Sequence, residues 1–260
     1  MTPQLPRQVF DPDCVPGASR DVCPSGREDG VLWTSTSQDQ SSNDTGSSLF
    51  DFDGDGRAEA VYADECYTRI YDGRTGAVLF SQPQSSCTWH EYPTVADVAG
   101  DFRARLVVPS NRNCDFLQCP AIDPVFPGLR CRGDGDCPAG LPCAQGLCRC
   151  QDDAGCDPTG SFRCLPATDG SPGKTCQSAH QGRFSGLRVY GDVRDRWVSS
   201  RPLWNQHPYS ITNINDDGTI PKTSQVRRNW DVPGLNNFRM NLQGALAPQA
   251  APDLTVREGA

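Results

Sequence analysis

One short pattern, met three times, constrains this chain more than any other feature. Residues 48–53 read SLFDFD, and the pattern returns as TVADVA at 94–99 and as SITNIN at 210–215. Apolar residues take the same slots each time. In the first two copies a second strand follows at the same offset of 46 positions. It is Ala60, Val61 and Tyr62 in one copy and Leu106, Val107 and Val108 in the other, drawn from the β-branched and aromatic types that strands favour. A third strand at 68–73 is echoed at 187–192, and a fourth at 77–80 is echoed at 196–199, both now 119 positions apart. The change of offset from 46 to 119 puts 73 extra residues inside the second copy, between Ser110 and Gly186.

That insertion holds ten of the fourteen cysteines: Cys114, Cys119, Cys131, Cys137, Cys143, Cys148, Cys150, Cys156, Cys164 and Cys176. Few large apolar residues lie among them, so the expectation is a separate mini-domain hung on one hairpin turn and held by disulfides. Each bridge contributes about 2–4 kcal/mol by restricting the unfolded chain. An even count permits complete pairing. Of the three ways to pair the other four cysteines, Cys14 with Cys23 is favoured by proximity, and Cys66 with Cys87 because both flank outer strands. Cysteine usage on this scale points to an oxidising compartment, secreted or at the cell surface.

The fold class expected is all-β. A unit of about 46 residues with four short strands has the size of a propeller blade. The architecture is then a partial β-propeller of four-stranded antiparallel blades with a disulfide-rich, loop-dominated insertion. Residues 1–45 form an irregular or partial blade, and 46–110 one blade and the start of the next. Residues 111–183 are the insertion, 184–250 the rest of the second blade and a degenerate third, and 251–260 a linker or the start of a following domain. The 25 Gly and 22 Pro exclude a helical bundle, and a mean hydropathy of -0.55 leaves no run long enough for a membrane helix. A net charge of -8 argues against nucleic acid and anionic membranes and suits a cation-binding surface. The first residues, MTPQLPRQVF, carry neither the charged nor the apolar region of a signal peptide. A piece of a longer exported protein, or a misplaced start, is expected, with the missing blades in other domains of the parent chain.

The chemistry concentrates between the first two strands of the first copy. Residues 51–59, DFDGDGRAE, place acidic side chains at loop positions 1, 3, 5 and 9 and glycine at 6, the order in which a calcium loop wraps oxygen donors round one centre. Asp51, Asp53, Asp55 and Glu59 would give carboxylates and Arg57 its backbone carbonyl, with Ca2+ as the ion. Four carboxylates in nine residues repel by about 1 kcal/mol per close pair even in water, and a divalent ion reverses that sign. An EF-hand is excluded, since position 12 is Tyr62 and the flanks alternate like strands.

The motif FDFDGDGRAEAVY resembles the FG-GAP/VCBS repeat family, calcium-loop β-propellers related to integrin α-subunit heads, over about residues 45–110 and 184–218. The resemblance implies a propeller for adhesion or ligand recognition, with calcium as a structural ion and a protein or carbohydrate ligand. The second copy departs from the pattern, with Ala99 at position 3 and Arg105 at position 9, so it should bind no ion, Arg105 neutralising Asp97 and Asp101. In the third, Asn213, Asn215 and Asp217 keep oxygen donors and Gly218 sits at position 6, but Pro221 replaces the acid at 9. A weaker second calcium site and a plain Asx-rich turn both fit.

Other motifs carry less. Residues 170–175, GSPGKT, lack the first glycine and the strand–helix setting of a phosphate-binding loop. Arg132, Gly133 and Asp134 lie between two half-cystines, where they are ordinary turn residues, and Cys148 with Cys150 suits disulfides better than zinc. Neither a zinc-protease nor a serine-hydrolase motif occurs, so no catalytic residue is assigned and a non-catalytic module is expected. His90 and His207 stand in matching positions, WHEYP at 89–93 and WNQHP at 204–208, which favours Trp filling between blades and His capping turns. A carbohydrate-active enzyme, a polysaccharide lyase or hydrolase, is the alternative, and it needs both His rings to converge on one point.

Overall fold

The computed structural model describes residues 5–39, 46–88, 90–157, 160–182, 184–226, 228, 238–241 and 243. The expected linker or following domain at 251–260 lies outside the described residues. The chain is nearly all β. Strands β3 (Ser48–Phe50), β4 (Glu59–Ala63), β5 (Tyr67–Tyr71) and β6 (Val78–Pro83) form one antiparallel sheet in chain order. A second sheet has the order β13-β8-β7, from β7 (Thr94–Ala96), β8 (Arg105–Ser110) and β13 (Gly186–Tyr190). The register pairs Gly186 with Ser110, so the insertion leaves and re-enters at the two residues between which the offsets placed it.

Alternation explains how the sheets meet. Val61 pairs with Ile70 and Ile70 with Phe80 across the first sheet, while Val95 pairs with Leu106 and Leu106 with Tyr190 across the second. These rows pack together with Phe50, Phe52, Ala104 and Val108 in one cluster. Phe80 and Tyr190 meet edge to face at 5.4 Å. Each fully buried Val, Leu or Phe contributes about 1.5–3 kcal/mol, enough to fix the face-to-face arrangement.

The second sheet lacks the expected fourth strand. Residues 196–199 do not pair with β13, because Val198 is engaged elsewhere: its N–H donates to the Phe52 carbonyl, and its own carbonyl accepts from Ala104, both at 2.9 Å. Residues 210–215 form turns rather than a strand, with Asn213 N–H on the Ser210 carbonyl at 3.1 Å. Among the described residues the two sheets belong to no closed ring.

The outer face of the first sheet is covered twice. Within residues 1–45 the chain forms an antiparallel pair, β1 (Leu5–Phe10) and β2 (Val31–Ser37). Trp33 of β2 stacks on Tyr71 at 5.6 Å and donates its indole N–H to the Gly73 carbonyl at 2.8 Å. The insertion covers the rest. It contains short pairs β9 (Cys143–Ala144) with β10 (Leu147–Cys148) and β11 (Phe162–Pro166) with β12 (Lys174–Ser178), and one turn of helix, α1 (Asp153–Cys156). Phe126 and Phe162 from the insertion share a core with Trp33, Tyr62, Tyr71 and Val78. The cysteine-rich segment is therefore packed onto the sheet.

All fourteen cysteines pair. Cys14–Cys23 forms as expected. The expected Cys66–Cys87 bridge does not: Cys66 joins Cys119 and Cys87 joins Cys114. Both link the first sheet and its edge to the start of the insertion, because that stretch folds back over β5 and brings Cys119 to a Cα separation of 5.4 Å from Cys66. The remaining bridges, Cys131–Cys143, Cys137–Cys148, Cys150–Cys164 and Cys156–Cys176, lie within the insertion. Seven disulfides belong to a chain folded in an oxidising compartment. Among the described residues no helix is long and apolar enough to cross a membrane.

A buried ion cluster reinforces the join. Arg69 of β5 is fully buried. Its guanidinium pairs with Asp64, and takes Asp123 of the insertion through Nε at 2.7 Å and Nη2 at 2.9 Å. Ser81 of β6 donates to the same Asp123 at 2.6 Å, and Asp64 also accepts the N–H groups of Gln38, Cys66 and Tyr67.

Candidate metal centre

The β3–β4 turn carries the proposed calcium loop. Asp51 folds it: Oδ1 accepts the N–H groups of Gly54 at 2.7 Å and Asp55 at 3.1 Å, and Oδ2 accepts that of Gly56 at 2.9 Å. Gly54 and Gly56 supply the left-handed backbone (φ 76° and 86°) that lets three amides converge on one carboxylate. Glu59, at the start of β4, turns back and accepts the Phe52 N–H at 2.8 Å. Donor oxygens of Asp51, Asp53 and Glu59 then lie within 4.8 Å of one another. Oxygens on opposite sides of a calcium ion, each at about 2.3–2.6 Å, are about as far apart, so these three fit a single ion.

The other loop residues are less gathered. Asp55 accepts the Arg57 N–H at 2.8 Å, and Asp55 and Arg57 both lie on the exposed outer part of the turn. Arg132 of the insertion reaches Asp53 at 3.7 Å, but it is almost wholly exposed, so this pair contributes little.

The equivalent turn in the second sheet has the same shape without the same set of acids. Asp97 accepts the N–H groups of Gly100 at 2.8 Å, Asp101 at 3.2 Å and Phe102 at 3.0 Å, the same cradle as Asp51 makes. The acid at position 9 is replaced by Arg105, which pairs with Asp101 at 2.6 Å. Among the described residues Arg105 does not pair with Asp97, which is held by the three amides instead. Phe102 occupies the slot of Gly56 at φ 61°, a conformation that costs a non-glycine residue about 1–2 kcal/mol. Phe102→Gly, at an exposed position, should therefore raise the urea midpoint, with a gain of about 0.5–1 kcal/mol after the added freedom of the unfolded chain. An unchanged or lower midpoint would contradict the strain.

Burial pushes the Glu59 carboxyl up to about 7, against the pull of the Phe52 N–H and with added repulsion from Asp53, Asp51 and Asp55. Its folded value lies above the ordinary 4.5, so the folded metal-free chain binds the proton more tightly than the unfolded chain. Stability then falls as pH rises from about 4.5 to about 7. The loss is about 1–2 kcal/mol once solvent screening around the exposed loop is allowed for. Urea denaturation in chelator at pH 5 and pH 8 should show that loss, and Glu59→Gln should remove it. An equal loss in the variant would assign it to another group.

Asn213, Asn215 and Asp217 keep mostly local partners. The Asn213 amide donates to the Pro208 carbonyl at 3.1 Å, the Asn215 amide to the Thr219 hydroxyl at 2.9 Å, and Asp217 accepts the Thr219 N–H at 2.9 Å. Among the described residues no donor reaches the buried Oδ1 of Asn213. The neighbouring Asp216 pairs with Arg201 at 2.8 Å.

His90 and His207 do gather, around Tyr92. His207 stands edge-on to the Tyr92 ring at 3.8 Å and His90 lies parallel to it at 6.5 Å. Arg239, buried, lies 4.9 Å over Tyr92 and 5.2 Å over Trp204. It donates to the Ser47 carbonyl at 2.9 Å and the Pro93 carbonyl at 3.2 Å, and Trp204 stacks on Tyr209 at 4.4 Å. Trp89, expected to fill between blades, lies outside the described residues. Sequence reasoning missed Arg239, which follows no motif.

No protein-family model matches the chain, and no curated protein matches it. Among solved structures it is similar to the V. cholerae biofilm matrix protein Bap1. The identity is 23%, the TM-score 0.49, and the match covers 81% of this chain and 24% of that one. The chain spans about a quarter of that protein's length.

Proposed function

We propose that the chain is a calcium-stabilised, non-catalytic recognition module of an exported or cell-surface protein, serving adhesion or the binding of a protein or carbohydrate ligand. It is built as part of a calcium-loop β-propeller of the FG-GAP/VCBS kind, whose other blades lie in further domains of the parent. The carrying observation is Glu59, a buried carboxylate that faces Asp51 and Asp53 across a gap fitted to one ion. Asp51, Asp53 and Glu59 would hold calcium, with Asp55 and the Arg57 carbonyl completing the set, and the ion would neutralise the loop. Calcium is favoured over magnesium because a flexible loop offering six or seven oxygens suits the larger ion, whereas magnesium keeps its waters. The turn at Asn213, Asn215 and Asp217 is a weaker second site, with the Asn213 oxygen as its available donor.

The propeller reading draws support from two sheets that repeat the same strand order and the same Asp-centred turn and pack face to face. The non-catalytic reading draws support from Tyr92 and Trp204, whose faces are taken up by Arg239, His207 and Tyr209. The gathering of His90 and His207 at Tyr92 is what the second reading, a polysaccharide lyase or hydrolase, would use, and screening the intact parent on polysaccharides separates the two. For the metal, isothermal titration of the chelator-stripped chain should give saturable calcium binding that magnesium does not reproduce. No heat from calcium would overturn the reading.

A further inference from the structure

The outer ends of the two sheets and the insertion border an open cleft of about 1050 Å3, just above the ~300–1,000 Å3 of ligand pockets. Gln82 of β6, Arg188 and Tyr190 of β13, and Leu129 and Phe162 of the insertion line it. Arg188 is the informative member. Its guanidinium lies 3.8 Å over the Phe184 ring, and Nη1 donates to the Pro83 carbonyl at 2.6 Å and the Tyr190 hydroxyl at 3.2 Å. Stacking and anchoring fix the plane. Among the described residues Nε and Nη2 have no acceptor, Arg188 has no carboxylate partner, and the Gln82 amide makes no hydrogen bond. The acidic groups of the cleft have partners of their own, Arg194 and Ser161 lining it with them: Asp136 pairs with Arg194 at 3.4 Å and Arg196 at 3.0 Å, and Asp157 accepts the Ser161 N–H at 3.0 Å.

A pre-set edge of two N–H donors matches a carboxylate bidentately, an amide suits hydroxyls, and Leu129 and Phe162 offer apolar faces. One ligand class presents all three complements. We propose that this cleft binds a carboxylate-bearing sugar of an acidic polysaccharide, with Arg188 taking the carboxylate, Gln82 a hydroxyl, and the apolar wall the C–H face of the ring. A peptide C-terminus is disfavoured because the acceptor is a side-chain fork and not the backbone nest that captures such ends. This inference rests on the recognition-module reading but not on the calcium loop.

Titration of the calcium-loaded chain with tetragalacturonate, in parallel with neutral maltotetraose and tetra-aspartate, tests it. Tetragalacturonate should bind and the other two should not. Arg188→Gln should weaken binding at least about tenfold. Val193→Asp puts a negative charge on a side chain that lines the cleft and is 92% exposed, where folding is unaffected, and it should also weaken binding. Asp53→Ala with Asp55→Ala should leave binding intact, which excludes calcium bridging at the loop. Where tetragalacturonate does bind, three results would overturn the proposal: wild-type affinity in both Arg188→Gln and Val193→Asp, a preference for tetra-aspartate, or loss of binding in the loop variant. Absence of saccharide binding while calcium still titrates overturns the cleft alone and leaves the metal reading standing.

Discussion

Arg69→Met is expected to destabilise the chain by about 3–5 kcal/mol, a large share of the ~5–15 kcal/mol typical of a folded protein. The reason is what remains. Asp64 and Asp123 are both buried, and without the guanidinium they become uncompensated charges in the join between β5 and the insertion. Burial pulls the Arg69 guanidinium down from its ordinary value, and Asp123 and Asp64 more than offset that and hold it well above. The matching surface control is Arg27→Met, which breaks a pair with Asp29 whose side chains are 42% and 53% exposed. It should leave the midpoint close to that of the wild type. Urea denaturation of both variants checks the contrast, and equal midpoints would mean the buried cluster is dispensable.

Removing the Cys66–Cys119 bridge is the second large effect. Its cysteines are 53 residues apart, against 9 for Cys14–Cys23. The intact Cys87–Cys114 bridge lies inside the longer loop and shortens it to about 27 residues, so loop-closure entropy in the unfolded chain gives about 3.5 kcal/mol for the longer bridge and about 2.6 kcal/mol for the shorter. The paired change Cys66→Ala with Cys119→Ala should lower stability more than Cys14→Ala with Cys23→Ala, measured by chemical denaturation under non-reducing conditions. The longer bridge also tethers the insertion to the sheet, so its loss should expose residues 119–126 to proteolysis first. If the short bridge proves the more costly, local packing around Cys14 and Cys23 outweighs chain entropy.

The repeat made most of the two sheets legible. Strands β3 to β8 and β13 follow from apolar slots at fixed offsets, and the Ser110 and Gly186 junction follows from the change of offset, because strand alternation is written locally. The absence of the fourth strand expected at 196–199 was not legible, since Val198 spends its backbone groups on Phe52 and Ala104, and those partners come from other turns. Cys66–Cys119 was hidden for the same reason: the pairing is decided by how the insertion folds back over β5. Arg69 reads in sequence as an ordinary strand residue. Its burial depends on Asp123, 54 positions away.

At the candidate metal centre, the residue types and their order were legible, and donor oxygens of Asp51, Asp53 and Glu59 lie within 4.8 Å of one another. The burial of Glu59 was not, because it depends on the turn folding back so that the carboxylate accepts the Phe52 N–H. The contrast between the two Asp-centred turns is the sharpest test of the account. Both have the same hydrogen-bonded cradle, but Glu59 in one is replaced by Arg105 in the other.

Thermal melting with and without chelator tests the calcium claim most directly. An ion that binds only the folded chain stabilises it by about 2.7 kcal/mol at a hundredfold excess over Kd, about 5–10 °C in Tm for a chain of this size. Chelation should lower the wild-type Tm by that amount. Asp53→Ala with Asp55→Ala should abolish the chelator effect, and Asp101→Ala, in the turn neutralised by Arg105, should preserve it. A wild-type Tm that is indifferent to chelator, together with a double variant that melts like the wild type, would contradict the claim and leave residues 51–59 an acidic turn.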